Sequence, residues 1–271
     1  MEANKTLSIA IMSGKGGVGK TNLTLNLGHA LYLRKRPTLL MDCDLGLANL
    51  DVLLGLAPEG NMQDVLFASA SMRSVIHQVQ PGFDVLPAAS GVPELVDMND
   101  DMRQILFDRL VPELTRYEYV LMDTGAGIGE TVQAMAQMAA LRIIVITPEP
   151  TSLTDSYALI KILFTRYGLR DFLIVVNQVE NEKESRLTFS RLAMACQKFL
   201  NLNPEFLASV HSDKALVEAV LRQKPLLDCK PECQAAKDIQ ILADKIQKIH
   251  YGMRDWMQKN PVVHFLPKNE N

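Results

Sequence analysis

A doubly wound, mainly parallel β-sheet with helices on both faces, built as one α/β domain, is the fold class this sequence predicts. Three observations predict it. Short β-type runs alternate with longer helical stretches through most of the 271 residues. Several runs (LSIAIM, YVLMD, RIIVIT, LIVVN) are continuously apolar rather than alternating, as strands are when helices cover both faces. A glycine-rich loop joins the first run directly to the first helical stretch. That β–α order calls for right-handed crossovers in one open sheet.

The first expected strand, Leu7–Met12, leads into Gly14-Lys15-Gly16-Gly17-Val18-Gly19-Lys20-Thr21. This stretch fits G-x-x-x-x-G-K-[ST] in the strand–loop–helix setting the motif requires. Glycines let successive backbone N–H groups turn toward one anion, and the N-terminus of the expected helix Lys20–Arg34 adds the positive end of its dipole. The pattern is that of a phosphate-binding loop. Lys20 would reach the β- and γ-phosphates of a nucleoside triphosphate, and the Thr21 hydroxyl would ligate Mg²⁺.

The second strand, Thr38–Asp42, runs out into Asp42-Cys43-Asp44, with Asp51 further on. Carboxylates leaving the C-terminal end of a strand lie where open α/β sheets bind ligands, and one there can position water or hold a metal's hydration shell. Strand Phe83–Leu86 and helix Met102–Leu114 precede Tyr119–Asp123, an apolar run ending in the aspartate that would hold Mg²⁺ through water. The glycines in Thr124-Gly125-Ala126-Gly127-Ile128 would let that loop follow a γ-phosphate. The rhythm then continues through helix Glu130–Ala140, strand Arg142–Thr147, helix Leu153–Tyr167, strand Leu173–Asn177, helix Ser185–Leu200, strand Leu207–Val210 and helices Asp213–Arg222 and Glu232–Ile249. Residues 1–249 are therefore expected to form the ATPase domain, and 250–271 a C-terminal tail.

A guanine-binding protein would carry Asn-Lys-x-Asp after a late strand, but this chain has Asn177-Gln178-Val179-Glu180. Asn177 offers a donor and an acceptor to an adenine edge, so ATP is the expected nucleotide. Across the boundary between domain and tail, Leu242, Ile246, Ile249, Met253 and Trp256 recur at helical spacing. Val262, Val263, Phe265 and Leu266 extend its apolar character past Pro261.

Hydrophobic residues at 48% with 22% charged residues exclude a disordered chain. A formal net charge of −3 gives no support to a whole-protein nucleic-acid binder. Four cysteines are too few for a disulfide framework. Cys229 and Cys233 lack the third and fourth ligands that zinc wants. No apolar run approaches the ~18 residues of a membrane span, so a cytoplasmic protein is expected.

Lys15, ahead of the glycine pair, is more than a bare phosphate loop needs. Lys15-Gly16-Gly17-Val18-Gly19-Lys20-Thr21 resembles the deviant Walker A signature K-G-G-x-x-K-[ST] of ParA/MinD ATPases. The resemblance implies an ATP-dependent homodimer in which Lys15 crosses to the phosphates of the partner's nucleotide. It implies further that Asp44 orients the attacking water and touches the metal's shell, with Asp42 supporting it. Thr147-Pro148-Glu149-Pro150-Thr151 resembles the family's T-P-E segment, which puts Glu149 at the nucleotide or the partner subunit. ATP hydrolysis would be slow and partner-stimulated.

Within the group, Lys20-Thr21-Asn22, with asparagine rather than a second threonine beside the nucleotide, looks most like the FlhG/FleN/YlxH branch. So do Asp123-Thr-Gly-Ala-Gly and the run from Thr147 to Asp155. That branch limits flagellar number and placement, partnering the SRP-type GTPase FlhF or a flagellar transcription activator. Some members stimulate FlhF with an N-terminal extension, for which Leu7, already in the first strand, leaves no room. MinD relatives often end in an amphipathic helix, so the tail would allow peripheral contact at the inner face of the cell membrane. A ParA-like partition ATPase on non-specific DNA, or a module that uses ATP only as a latch, are the competing readings. Sequence-specific DNA recognition is not expected.

Overall fold

The computed structural model describes residues 6–44, 49–58, 60, 64, 71–88 and 110–259. Strands β1 (Leu7–Ser13), β2 (Thr38–Cys43), β3 (His77–Gln80), β4 (Phe83–Leu86), β5 (Tyr119–Ala126), β6 (Leu141–Ile146), β7 (Leu173–Val179) and β8 (Glu205–His211) form one sheet in the order β3-β4-β2-β5-β1-β6-β7-β8. Every pairing is parallel except the antiparallel β3–β4 edge. Among the described helices are α1 (Lys20–Leu33), α2 (Leu50–Leu54), α3 (Met72–Val75), α4 (Glu130–Met138), α5 (Pro150–Tyr167), α6 (Glu182–Leu200), α7 (Lys214–Leu221), α8 (Leu226–Cys229), α9 (Gln234–Gly252) and α10 (Arg254–Lys259).

The continuous apolar strands have a direct structural cause. Leu7, Ile9 and Ile11 of β1 point into one core while Ala10 and Met12 point into another. Tyr119 and Leu121 against Val120 and Met122 divide in the same way, as do Ile143 and Val145 against Ile144 and Ile146. Successive strand side chains face opposite sides, and here both sides are roofed. Helices α1 and α9 cover one face through Leu23, Leu27, Leu31, Ile239, Leu242 and Ile246. Helices α4, α5 and α6 cover the other through Val132, Met135, Leu159, Ile160, Leu163, Leu192 and Cys196.

The expected elements are present with ends shifted by a few residues, and several shifts have clear reasons. Helix α5 starts at Pro150 rather than Leu153, because proline is suited to the first helical turn. Asn181 caps α6 by accepting from the Glu184 amide, so that helix starts at Glu182. Strand β3 was not expected: its sequence, HQVQ, is polar and lies at the sheet edge. The N-terminal part of the expected helix Met102–Leu114 lies outside the described residues, which resume with helix at 110–114.

At the carboxyl end α9 crosses position 249 and stops at Gly252. His250 is buried there, its Nδ1 2.9 Å from the Tyr119 hydroxyl. The stripe read as one helix is split: α10 begins at Arg254, Met257 is in the core, and Trp256 is 48% exposed. Val262, Val263, Phe265 and Leu266 lie outside the described residues.

Because β1 is flanked by β5 and β6 while the next strand in sequence, β2, sits beyond β5, the chain reverses direction across the sheet at β1. The loops after β1, β2, β5, β6 and β7 therefore meet at the carboxyl edge beside that switch point, where open α/β sheets bind ligands.

Candidate nucleotide site

The loop 14–19 ends in left-handed backbone. Gly17 has φ +78° and Gly19, the N-cap of α1, has φ +84°. At Gly19 a side chain would be strained by that φ, and its Cβ would lie 2.5 Å from the Asn177 amide nitrogen. Gly16 and Gly17 face open space, with nothing within 4 Å of a Cβ placed there. The first turn of α1 holds no acidic residue, so the dipole's positive end is left for an external anion. Gly14 serves packing: a Cβ there would fall 2.2 Å from the Asp155 carbonyl carbon and 2.4 Å from the Ser156 amide of α5.

Lys20 is buried, with its Nζ 3.2 Å from Asp123 Oδ1. Thr24, one turn further along α1 and fully buried, donates to the same carboxylate oxygen at 3.1 Å or to the Lys20 carbonyl at 3.0 Å. Asp42 stands beside Asp123 in the register of β2 and β5. Its carboxylate accepts the amides of Asp44 (3.0 Å), Asn49 (2.9 Å) and Leu50 (3.1 Å). Burial raises the Asp42 carboxyl to about 6 against those three stabilising donors, with the Asp123 charge adding to the rise. Burial likewise raises Asp123, opposed by Lys20 and by the hydroxyls of Thr21 and Thr24.

Two adjacent buried carboxylates against one buried lysine leave an excess of negative charge, and a divalent cation would relieve it. The nearby donors, a threonine hydroxyl and carboxylates, are the hard oxygens that Mg²⁺ takes. Among the described residues no three His, Cys, Asp or Glu side chains form a metal cage. Asp44 lies against the end of β5, which runs on past Asp123 to Ala126, its carboxyl carbon 3.5 Å from a Cβ placed on Gly125.

The remaining expected residues divide into two sets. Lys15 pairs with Glu149 of its own chain, and its Nζ is 2.9 Å from Thr151 Oγ1. Asn177 donates its side-chain amide to the Val18 carbonyl at 2.7 Å, holding the loop from below. Asn22 faces along the helix, its carbonyl and side-chain oxygens accepting from Asn26 at 2.8 and 3.2 Å. Asn26 in turn accepts the Leu226 amide at 2.7 Å. Residues 45–48 lie outside the described residues. Cys233 serves as N-cap of α9, its Sγ accepting from the Ala236 amide.

Sequence reasoning missed Thr24, Thr151 and Gln178. Thr24 carried a signal, since i and i+4 positions share a helix face and Lys20 points at Asp123. Gln178, at φ +59°, donates toward the Gly17 carbonyl at 3.4 Å and carried no comparable signal.

A glycine loop with left-handed turns, a buried lysine on an aspartate of the neighbouring strand and an anion-ready helix start define a P-loop nucleotide-binding protein. The chain belongs to the CobQ/CobB/MinD/ParA nucleotide-binding domain family, whose model matches residues 9–226. It is 34% identical over 238 residues to the antiactivator FleN of Pseudomonas aeruginosa, covering 88% of this chain and 85% of that protein. With the flagellum site-determining protein YlxH of Helicobacter pylori it shares 33% over 251 residues, covering 91% and 84%. The septum site-determining protein MinD of Pyrococcus horikoshii, complexed with Mg-ADP, superposes with a TM-score of 0.70 at 26% identity over 92% of this chain and 98% of that one. Among the described residues no helix is long and apolar enough to cross a membrane.

Proposed function

We propose that this chain binds Mg·ATP on the loop 14–21, closes as an ATP-dependent homodimer, hydrolyses ATP slowly, and acts in controlling flagellar number or placement. The observation that carries the reading is the buried Lys20–Asp123–Thr24 cluster directly beneath a left-handed glycine loop. The Mg-ADP named with the Pyrococcus MinD relative supports the ligand. FleN and YlxH, similar over most of the chain, support the flagellar setting.

In this reading the amides of Gly16 to Lys20 hold the phosphates, and Lys20 reaches from Asp123 toward the β- and γ-phosphates. Thr21 and Asp123 would hold the metal; when bound, Mg²⁺ neutralises charge developing on the phosphoryl oxygens. Asp44, against Gly125, orients water and would accept its proton. Lys15 leaves Glu149 and crosses to the partner's nucleotide, and Glu149 remains at the interface. Asn177 meets adenine, and Asn22 lies beside the bound nucleotide at the start of α1. The partner is an SRP-type GTPase or a flagellar transcription activator; His250 and Met257 pack on the domain, so any peripheral membrane contact falls to the part of the tail that follows them.

Light scattering with ADP and with a non-hydrolysable ATP analogue tests the reading. A monomer with ADP and a dimer with the analogue are expected, and Asp44→Ala should hold the dimer with ATP itself. A monomer under every condition would contradict it.

A further inference from the structure

The loop after Asp123 is pinned at two points. In front, the Gly127 amide donates to the Ser13 carbonyl at 2.9 Å, which fastens the loop to the start of the phosphate-binding segment. Behind, the Gln133 side-chain amide donates to the Ile128 carbonyl at 2.6 Å. Gln133 is 5% exposed, and its carbonyl oxygen is also engaged. It accepts from the Tyr167 hydroxyl at 2.9 Å and lies 3.4 Å from the Arg166 guanidinium.

Tyr167 ends α5, whose other end carries Thr151 against Lys15, with Asp155 and Ser156 against Gly14. Eighteen residues make a rod about 27 Å long at 1.5 Å each. One rigid element thus touches the phosphate loop at its start and the loop after Asp123, through one glutamine, at its end.

We propose that Gln133 is a positioning residue that sets this loop by bracing Ile128 against the end of α5, so that the half-exposed Tyr167 hydroxyl reports on the γ-phosphate side of the site. This deepens the Mg·ATP reading above and rests on it. A leucine at 133 fits the volume but supplies neither hydrogen bond. An amide that holds a loop through one bond of about 1.4 kcal/mol changes its equilibrium about tenfold.

The test reads the Gly127 amide by NMR hydrogen exchange in the nucleotide-free protein, with the Val145 amide of central strand β6 as the internal control. Gln133→Leu should speed Gly127 exchange about tenfold and leave Val145 unchanged. Tyr167→Phe, which deletes the hydroxyl that donates to Gln133, should speed it about threefold. Affinities for ADP and for the ATP analogue supply a second readout: in Gln133→Leu analogue binding weakens and ADP binding holds. Unchanged Gly127 exchange in Gln133→Leu, equal weakening for both nucleotides, or no effect of Tyr167→Phe would each overturn the proposal. If the wild-type protein bound neither nucleotide, the Mg·ATP reading would fail while the exchange result still judged the brace.

Discussion

Lys15 and Glu149 form an ion pair within one chain, with the Thr151 hydroxyl as a second acceptor for the same ammonium. Any role for Lys15 at a partner's nucleotide requires this contact to open. The lysine and glutamate side chains are 34% and 59% exposed, so the pair contributes at most about 1 kcal/mol. Glu149→Gln is therefore expected to tighten analogue-dependent dimerisation by up to about fivefold, as read by sedimentation velocity. A weaker dimer would instead make Glu149 a contributor to the interface.

Thr24→Val keeps the shape of a fully buried side chain and removes a donor to Asp123. Leaving a buried carboxylate oxygen short of a donor costs about 1–3 kcal/mol. A lower urea midpoint with an unchanged slope is expected. A midpoint equal to wild type would show that Lys20 and Thr21 satisfy Asp123 by themselves.

Asp42 gives a pH dependence opposite to that of an ordinary ion-paired carboxylate. Burial pushes its folded-state carboxyl up to about 6 from an ordinary 3.8. Between those two values the unfolded chain has already lost the proton and the native chain still holds it. Its contribution to stability is therefore full below pH 4 and declines as pH rises to 6, by up to about 3 kcal/mol. Carbon-13 NMR of the nucleotide-free protein should show the Asp42 carboxyl titrating near 6, and Asp42→Asn should flatten this part of the stability profile. A midpoint at or below 4 would mean that the three backbone donors outweigh burial.

His29 works in the other direction. Its ring is buried between Tyr32 and Phe83, and among the described residues neither nitrogen has a hydrogen-bond partner, although Nε2 lies 3.5 Å from the Asp228 carboxylate. Burial lowers its pKa and the Asp228 charge partly restores it. Stability from the neutral ring is full above about 6.5 and is lost as pH falls through the folded-state value. His29→Phe should remove that acid-side slope in urea titrations from pH 7 to 5. An unchanged slope would assign it to other groups.

What was legible in the sequence was what is local. The loop 14–21 is contiguous, and its strand and helix announce themselves by apolar runs on either side. The two-sided core was readable too, because β1 and β5 lack polar alternation. The edge strand His77–Gln80 was hidden since one hydrogen-bonded neighbour suffices to form it and no buried face marks it. Gln133 and Thr151 were unreadable as site residues for a different reason. Their partners Tyr167 and Lys15 lie 34 and 136 positions away, and only the folded sheet and helices bring them together. Asn177 stood out in the sequence as a residue for an adenine edge; its bond to the Val18 carbonyl is a use the sequence did not suggest, as a clasp on the loop itself.

Isothermal calorimetry with Mg·ATP on the wild-type protein and on Lys20→Ala addresses the central claim most directly. Binding by the wild type and its loss in the variant, whose fold is checked by circular dichroism, is the predicted result. A wild-type protein that produces no heat with Mg·ATP, or a folded Lys20→Ala protein that binds it equally well, would contradict the account.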